Sequence, residues 1–141
     1  MARSRTTPQD IRIEKRNLKF GRDVPMRRWW HGDDAGRTAF YNALSSTFPV
    51  GEKFFMTAVR HYRDDVDETL REQIDDFIYQ ESMHTREHIV FNQQAQKAGY
   101  DIAPLERRAR RTIDWAKTRP MIQQLAATCA LEHFTATLAH D

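Results

Sequence analysis

Apolar residues recur along this chain at helical rather than strand spacing. From about residue 33 onward they form stripes separated by short polar or Pro/Gly breaks. Asp33 or Asp34 is placed to cap a first helix that runs to about Phe48, with Phe40, Tyr41, Leu44 and Phe48 facing inward. Pro49 and Gly51 predict an interruption, and a second segment then extends from Glu52 to about Tyr62. Its stripe is Phe55, Val59 and Tyr62, and a step back of three residues from Phe55 reaches Glu52. The acidic junction at residues 64–67 suits a loop and an N-cap. The longest helix follows, roughly residues 68–98, and Gly99 ends it. Asp101 and Pro104 open another helix that ends near Arg119. Pro120 begins the last one, whose stripe reads Met121, Leu125, Thr128 or Cys129, Glu132, Thr135, Ala139. Upstream of the helices the pattern is weak. Residues 1–10 read as disordered, residues 11–20 as a short extended arm, and residues 21–32 as irregular. Trp29 and Trp30 are expected to cap one end of a core, with a pocket wall as the second reading. The expected organisation is a basic, irregular N-terminal arm over residues 1–32 and a helical bundle domain over residues 33–141.

Composition supports this all-α reading. A chain of 141 residues suits one domain with a sizeable core. Five Gly and five Pro are too few for a turn-rich β fold. The single Cys129 excludes an internal disulfide framework and suits a reducing compartment. No apolar run reaches the roughly 18 residues of a membrane span, and no apolar stretch follows the basic N-terminus as in a secretory signal. A cytoplasmic location and no membrane partner are therefore expected. The net charge of +2 hides an asymmetry: residues 1–30 hold nine Lys/Arg against three Asp/Glu, the remainder thirteen against seventeen. A basic arm docked on an acidic body is the expected arrangement. The cluster Arg107, Arg108, Arg110 and Arg111 lacks the interleaved aromatics that stack bases. It reads as a solvated helix face, and nucleic acid is not the expected partner.

The longest helix carries the candidate chemistry. Its stripe runs Leu70, Ile74, Phe77, then Phe91 and Ala95, and the same spacing through the gap lands on Glu81, His84 and His88. An ionised carboxylate on a core-facing stripe is costly without a compensating partner. A bound metal is such a partner, and Glu-x-x-His is the i, i+3 pair used in di-metal helical bundles. Glu52 and Glu132 fall on the stripes of two other segments. Carboxylates and neutral imidazoles suit a hard or borderline divalent ion such as iron, manganese or zinc, and two ions would explain three converging acids. Glu52, Glu81, His84 and Glu132 are the candidate ligands, and His88 is a further ligand or a group that orients one. Glu87 is expected to point away from this face into solvent. His61 and His133 lie off the stripes and read as structural, and Cys129 as a small core residue.

Three blocks in order, Phe48-Pro49-Val50-Gly51-Glu52-Lys53-Phe54-Phe55, Gln80-Glu81-x-x-His84-x-x-Glu87-His88 and Leu131-Glu132-His133-Phe134-Thr135-Ala136, resemble the bacterial family of predicted metal-dependent hydrolases. Trp30-His31-Gly32-Asp33 fits it as well, so the resemblance covers residues 11–141. It implies a ferritin-like helical bundle and ligand roles for Glu52, Glu81, His84 and Glu132. A ferritin-like di-metal site also uses a second Glu-x-x-His, which does not follow Glu132 here. The chain is accordingly expected to be the N-terminal portion of a longer bundle, with an exposed seam prone to self-association. The expected function is that of a metal-dependent enzyme, a hydrolase acting on a small molecule. The alternatives are a di-iron, O2-dependent oxidoreductase and a non-enzymatic helical interaction or nucleic-acid-binding module.

Overall fold

A computed structural model describes residues 12–22 and 24–140. The expected disorder of residues 1–10 lies outside these residues. Four helices follow the arm: α1 (Ala35–Arg60), α2 (Glu68–Lys97), α3 (Ala103–Ala116) and α4 (Met121–His140), with one 3-10 turn at Arg63–Asp65. There is no strand among the described residues. Helix α1 is the central element, packing against α2, α3 and α4.

The boundaries follow local chemistry. Asp34 accepts from the Arg37 N–H at 2.9 Å and Asp67 from the Leu70 N–H at 2.9 Å, each satisfying an amide that has no intrahelical partner. Gly99, at φ +92°, lets the end of α2 turn back. There the Tyr100 N–H reaches the Ala95 carbonyl and the Gly99 N–H reaches that of Gln96. Asp101 accepts from the Ala103 N–H at 3.2 Å at the start of α3. Between α3 and α4, Gln124 donates to the carbonyls of Arg119 and Lys117 and so closes the turn with a side chain.

The expected break at Pro49 does not occur: α1 runs unbroken through Pro49 and Gly51. Proline removes the N–H that would bond the carbonyl of Ser45, four residues back. The Asn92 side-chain amide on α2 donates to that carbonyl instead, at 3.2 Å in the buried interior.

The inward face of the first half of α1 also differs from expectation. Thr38, Asn42, Ser45 and Ser46 are buried, whereas Phe40 and Tyr41 are exposed and Leu44 and Phe48 half-buried. Of the buried residues, Ser45 bonds across to His88 and Asn92 on α2, while Thr38 and Asn42 bond the arm at His31 and Trp30. The aromatics turn toward the arm, where Trp30 packs against Tyr41 and edge-on against Phe91. Farther along, Phe54, Phe55 and Ile113 form the apolar core, with Val50, Phe77, Ala116 and Ala127 packed on it. Each fully buried side chain of this size contributes about 1.5–3 kcal/mol.

The arm runs parallel to α2 and is held by polar bonds. Lys15 pairs with Asp76 at 2.6 Å, the Arg16 N–H bonds Gln80, and Arg86 bonds Asn17 and the Leu18 carbonyl. Glu87 is the main anchor: it accepts from the Phe20 N–H at 3.0 Å and from Arg22 at 2.5 Å. The expectation that Glu87 is solvated is therefore wrong. Its carboxyl is only 15% exposed, because the arm lies over it. Helix α4 buries the polar Gln124 and Thr128 and exposes Ile122, Leu131, Phe134 and Leu138. No helix among the described residues is long and apolar enough to cross a membrane.

Candidate metal centre

Three of the four expected ligands meet where α1 and α2 pack together. Glu52, Glu81 and His84 each offer a donor atom, and the three atoms lie within 4.8 Å of one another. Glu52 is 3% exposed and Glu81 6% exposed. Among the described residues neither carboxylate pairs with a Lys or Arg; their charged-group neighbours are His84 and His88. Two buried acids without a fixed cation are costly in a folded protein. That cost, in a group with one imidazole beside the acids, is what a divalent ion would relieve. The donor set, oxygen-rich with one nitrogen, fits such an ion.

Helix geometry explains the convergence. Glu81 and His84 are three residues apart on α2 and so share a face, with His84 Nδ1 3.5 Å from Glu81 Oε1. Thr85, on the next turn, donates to Glu52 Oε2 at 2.7 Å, which leaves Oε1 for another partner. His88 follows one turn later, with Nε2 3.8 Å from Glu52 Oε1. Glu132 reaches the same region from α4. It is half-buried and stands outside the tight group of three, but near enough for its carboxyl to interact with those of Glu81 and Glu52.

Burial sets the proton affinities here. The Glu52 carboxyl is pushed up to about 7, chiefly by burial and further by the charge of Glu81, with the Thr85 bond opposing. Glu132 is also pushed up to about 7, by burial and then by Glu81. The hydrogen bond to Glu81 raises the His84 imidazole above its ordinary value. His88 goes the other way: burial, then the charge of His84, lowers it to about 4.

The His88 tautomer follows from its neighbours. Ser45 Oγ lies 2.9 Å from His88 Nδ1 and 2.8 Å from Asn92 Oδ1. Asn92 is oriented by its amide, which donates to the Ser45 carbonyl, so its oxygen must accept the Ser45 hydroxyl proton. One hydroxyl has one proton, so His88 Nδ1 is the donor in the remaining contact. A neutral ring protonated at Nδ1 leaves Nε2 as a lone pair, on the side of Glu52. Phe48 stacks on the ring at 4.4 Å between centroids and limits its rotation.

Thr85, Ser45 and Asn92 were absent from the expected site. A pattern pointed to them: Ser45 lies seven residues before Glu52, and Asn92 four after His88, each on the face of its helix that carries the ligands. His61 and His133 are exposed and Cys129 is exposed rather than in the core. The last point corrects the expectation for Cys129. Arg107, Arg108, Arg110 and Arg111 lie on the open face of α3.

The family model described as predicted metal-dependent hydrolase matches residues 14–141. Comparison with curated proteins and with solved structures found no match.

Proposed function

This chain belongs to the predicted metal-dependent hydrolases, and we propose that it binds a divalent ion through Glu52, Glu81 and His84 for hydrolysis of a small molecule. Nε2 of His88 is the next donor that would be available to such an ion, and Glu132, from α4, would help hold a second. When bound, such an ion supplies Lewis acidity and a water of lowered pKa. The chain's own groups do the remaining work. Thr85 fixes the orientation of Glu52 through Oε2. Ser45 holds His88 in the tautomer whose lone pair faces the centre. Without an ion, burial holds the carboxyls of Glu52 and Glu132 up at about 7; a cation bound beside them would supply the opposing charge that keeps them ionised.

The observation that carries this reading is the burial of Glu52 and Glu81 beside His84, with no Lys or Arg paired to either among the described residues. The test is elemental analysis after exposure to iron, manganese or zinc and removal of free ion. The expected result is about one bound ion or more per chain, falling severalfold in Glu81→Gln. A content well below one that Glu81→Gln leaves unchanged overturns the proposal.

A further inference from the structure

The metal centre opens on one side into a cavity of about 830 Å³, within the size range of small-molecule pockets. Its walls come from three places: Phe20, Val24 and Met26 on the arm, Leu44 and Phe48 on α1, and Phe91 on α2. His84 and His88 are among its lining residues, and through them it adjoins the candidate metal centre. We propose that this cavity takes the hydrocarbon body of an uncharged small molecule, a chain or fused ring, and directs its reacting end to His84 and His88. The assignment of a reacting end rests on the proposed metal centre, whereas the apolar binding site stands on the cavity alone.

The argument turns on what the wall leaves unpaired. Most of the polar side chains that line the cavity are engaged with the protein; Arg27, largely exposed, pairs with Asp33 at 3.4 Å, and Tyr41 is exposed. Glu87 holds Arg22 and the Phe20 N–H. Gln94 donates to the Gly21 carbonyl at 2.7 Å. Trp30 Nε1 donates to Asn42, and Ser45 bonds Asn92 and His88. A sugar would bury hydroxyls against the apolar walls without replacing the hydrogen bonds it loses to water. An apolar body needs no such partners and gains by leaving water. The bonds of Glu87, Gln94 and Trp30 also fasten the arm, so its wall is built before any ligand arrives.

Fluorescence titration with the uncharged probe N-phenyl-1-naphthylamine tests this on the intact chain. The expected result is one saturable site per chain, with the probe displaced by decanol and not by glucose. Val24 lines the cavity but is 69% exposed, so Val24→Glu leaves the fold intact, checked by circular dichroism, while bringing a carboxylate to the wall. It should weaken the probe about tenfold or more. Glu81→Gln should leave probe affinity unchanged while removing metal, and Phe134→Ser, on the open face of α4, should also leave it unchanged. Absence of saturable binding overturns the inference, as does indifference to Val24→Glu, displacement by glucose, or loss of binding in Phe134→Ser. Probe binding in a chain that takes up no metal would sustain the cavity and sink only the metal centre.

Discussion

The side-chain amide of Asn92 donates to the main-chain carbonyl of Ser45 at 3.2 Å, in the position a helical N–H would take if residue 49 were not proline. The same asparagine accepts the Ser45 hydroxyl at 2.8 Å. One residue on α2 thus repairs the hydrogen-bond defect in α1 and orients the serine that contacts His88. A proline inside a helix costs about 3 kcal/mol through the missing bond and the clash of its ring. The Asn92 bond removes only the first of these contributions.

That relationship predicts a coupling between Pro49 and Asn92. Asn92→Leu should destabilise the fold by about 2 kcal/mol, because the buried Ser45 carbonyl loses its partner and the Ser45 hydroxyl loses one of its two, keeping only His88. Pro49→Ala restores a main-chain donor to that carbonyl. In the Pro49→Ala background the cost of Asn92→Leu should be smaller by about 1 kcal/mol. Urea denaturation of the four proteins in the cycle measures this directly. Strict additivity would mean that Asn92 does not replace the lost helical bond.

The buried acids predict how the metal-free protein responds to pH. The folded-state pKa of Glu52 and of Glu132 is about 7, above the ordinary carboxyl value of 4.5. The folded state therefore binds more protons than the unfolded one between those values, and stability falls as pH rises through that window. His84, raised by Glu81, acts in the same direction, its contribution being lost as pH rises through its folded value. His88, lowered to about 4, opposes them: its contribution grows with pH up to the unfolded histidine value of 6.5 and is then constant. The decline should therefore be clearest from about pH 6 to 7, where His88 opposes it less and the two carboxyls are still losing their protons, at no more than about 1.4 kcal/mol per titrating group per pH unit. Thermal melts across this range in a chelating buffer should show it, and Glu52→Gln should flatten it. A melting temperature that rises through the interval would contradict the placement of these carboxyls.

The helices were legible in the sequence because their ends are written in local chemistry. Asp34, Asp67 and Gly99 act within a few residues of themselves, and nothing distant alters their effect. Glu52, Glu81 and His84 were legible because an acid on an apolar stripe contradicts the stripe. The continuity of α1 through Pro49 was not legible, since the compensating donor lies 43 residues downstream, between 49 and 92, on another helix. The inward face of α1 was misjudged for a related reason. Large aromatics mark a core only when nothing else can pack on them, and here Trp30 of the arm packs on Tyr41 while Thr38, Ser45 and Ser46 are the buried positions and Ser45 bonds to α2. Glu87 was misread as solvated because its partners, Arg22 and the Phe20 amide, belong to a segment whose pattern was too weak to place.

Glu87 predicts how firmly the arm is held. Its carboxyl is lowered to about 2 by the Phe20 amide, Arg86 and Arg22, which outweigh its burial. Glu87→Ala removes two of the bonds between arm and α2 at once, those from the Phe20 amide and from Arg22. Trypsin should then cut near Lys19 and Arg22 about tenfold faster or more, with the helical signal unchanged, because local opening costs less than global unfolding. Lys15→Ala, which breaks the more exposed pair with Asp76, should have a much smaller effect. Equal cutting rates in the two variants would show that Glu87 is not the anchor.

The last prediction concerns Ser45, which does not touch the proposed ion. Its hydroxyl gives its proton to Asn92 and accepts from His88 Nδ1, so the serine selects the tautomer in which Nε2 is free. In Ser45→Ala the ring loses that acceptor, and the tautomer with its proton on Nε2 becomes competitive. Groups that orient a ligand in this way typically change metal affinity by about 10–100-fold when removed. Ser45→Ala should weaken zinc or manganese binding by about tenfold in a competition titration with a chelator, whereas Ser46→Ala should not. Ser46 bonds only the Ala43 carbonyl and serves as the control for losing a buried hydroxyl on α1. His88→Gln should match Ser45→Ala in affinity, and the two changes together should cost no more than His88→Gln alone, since both act through one nitrogen. An additive double variant would remove Ser45 from the pathway to the metal and leave it a role in packing alone.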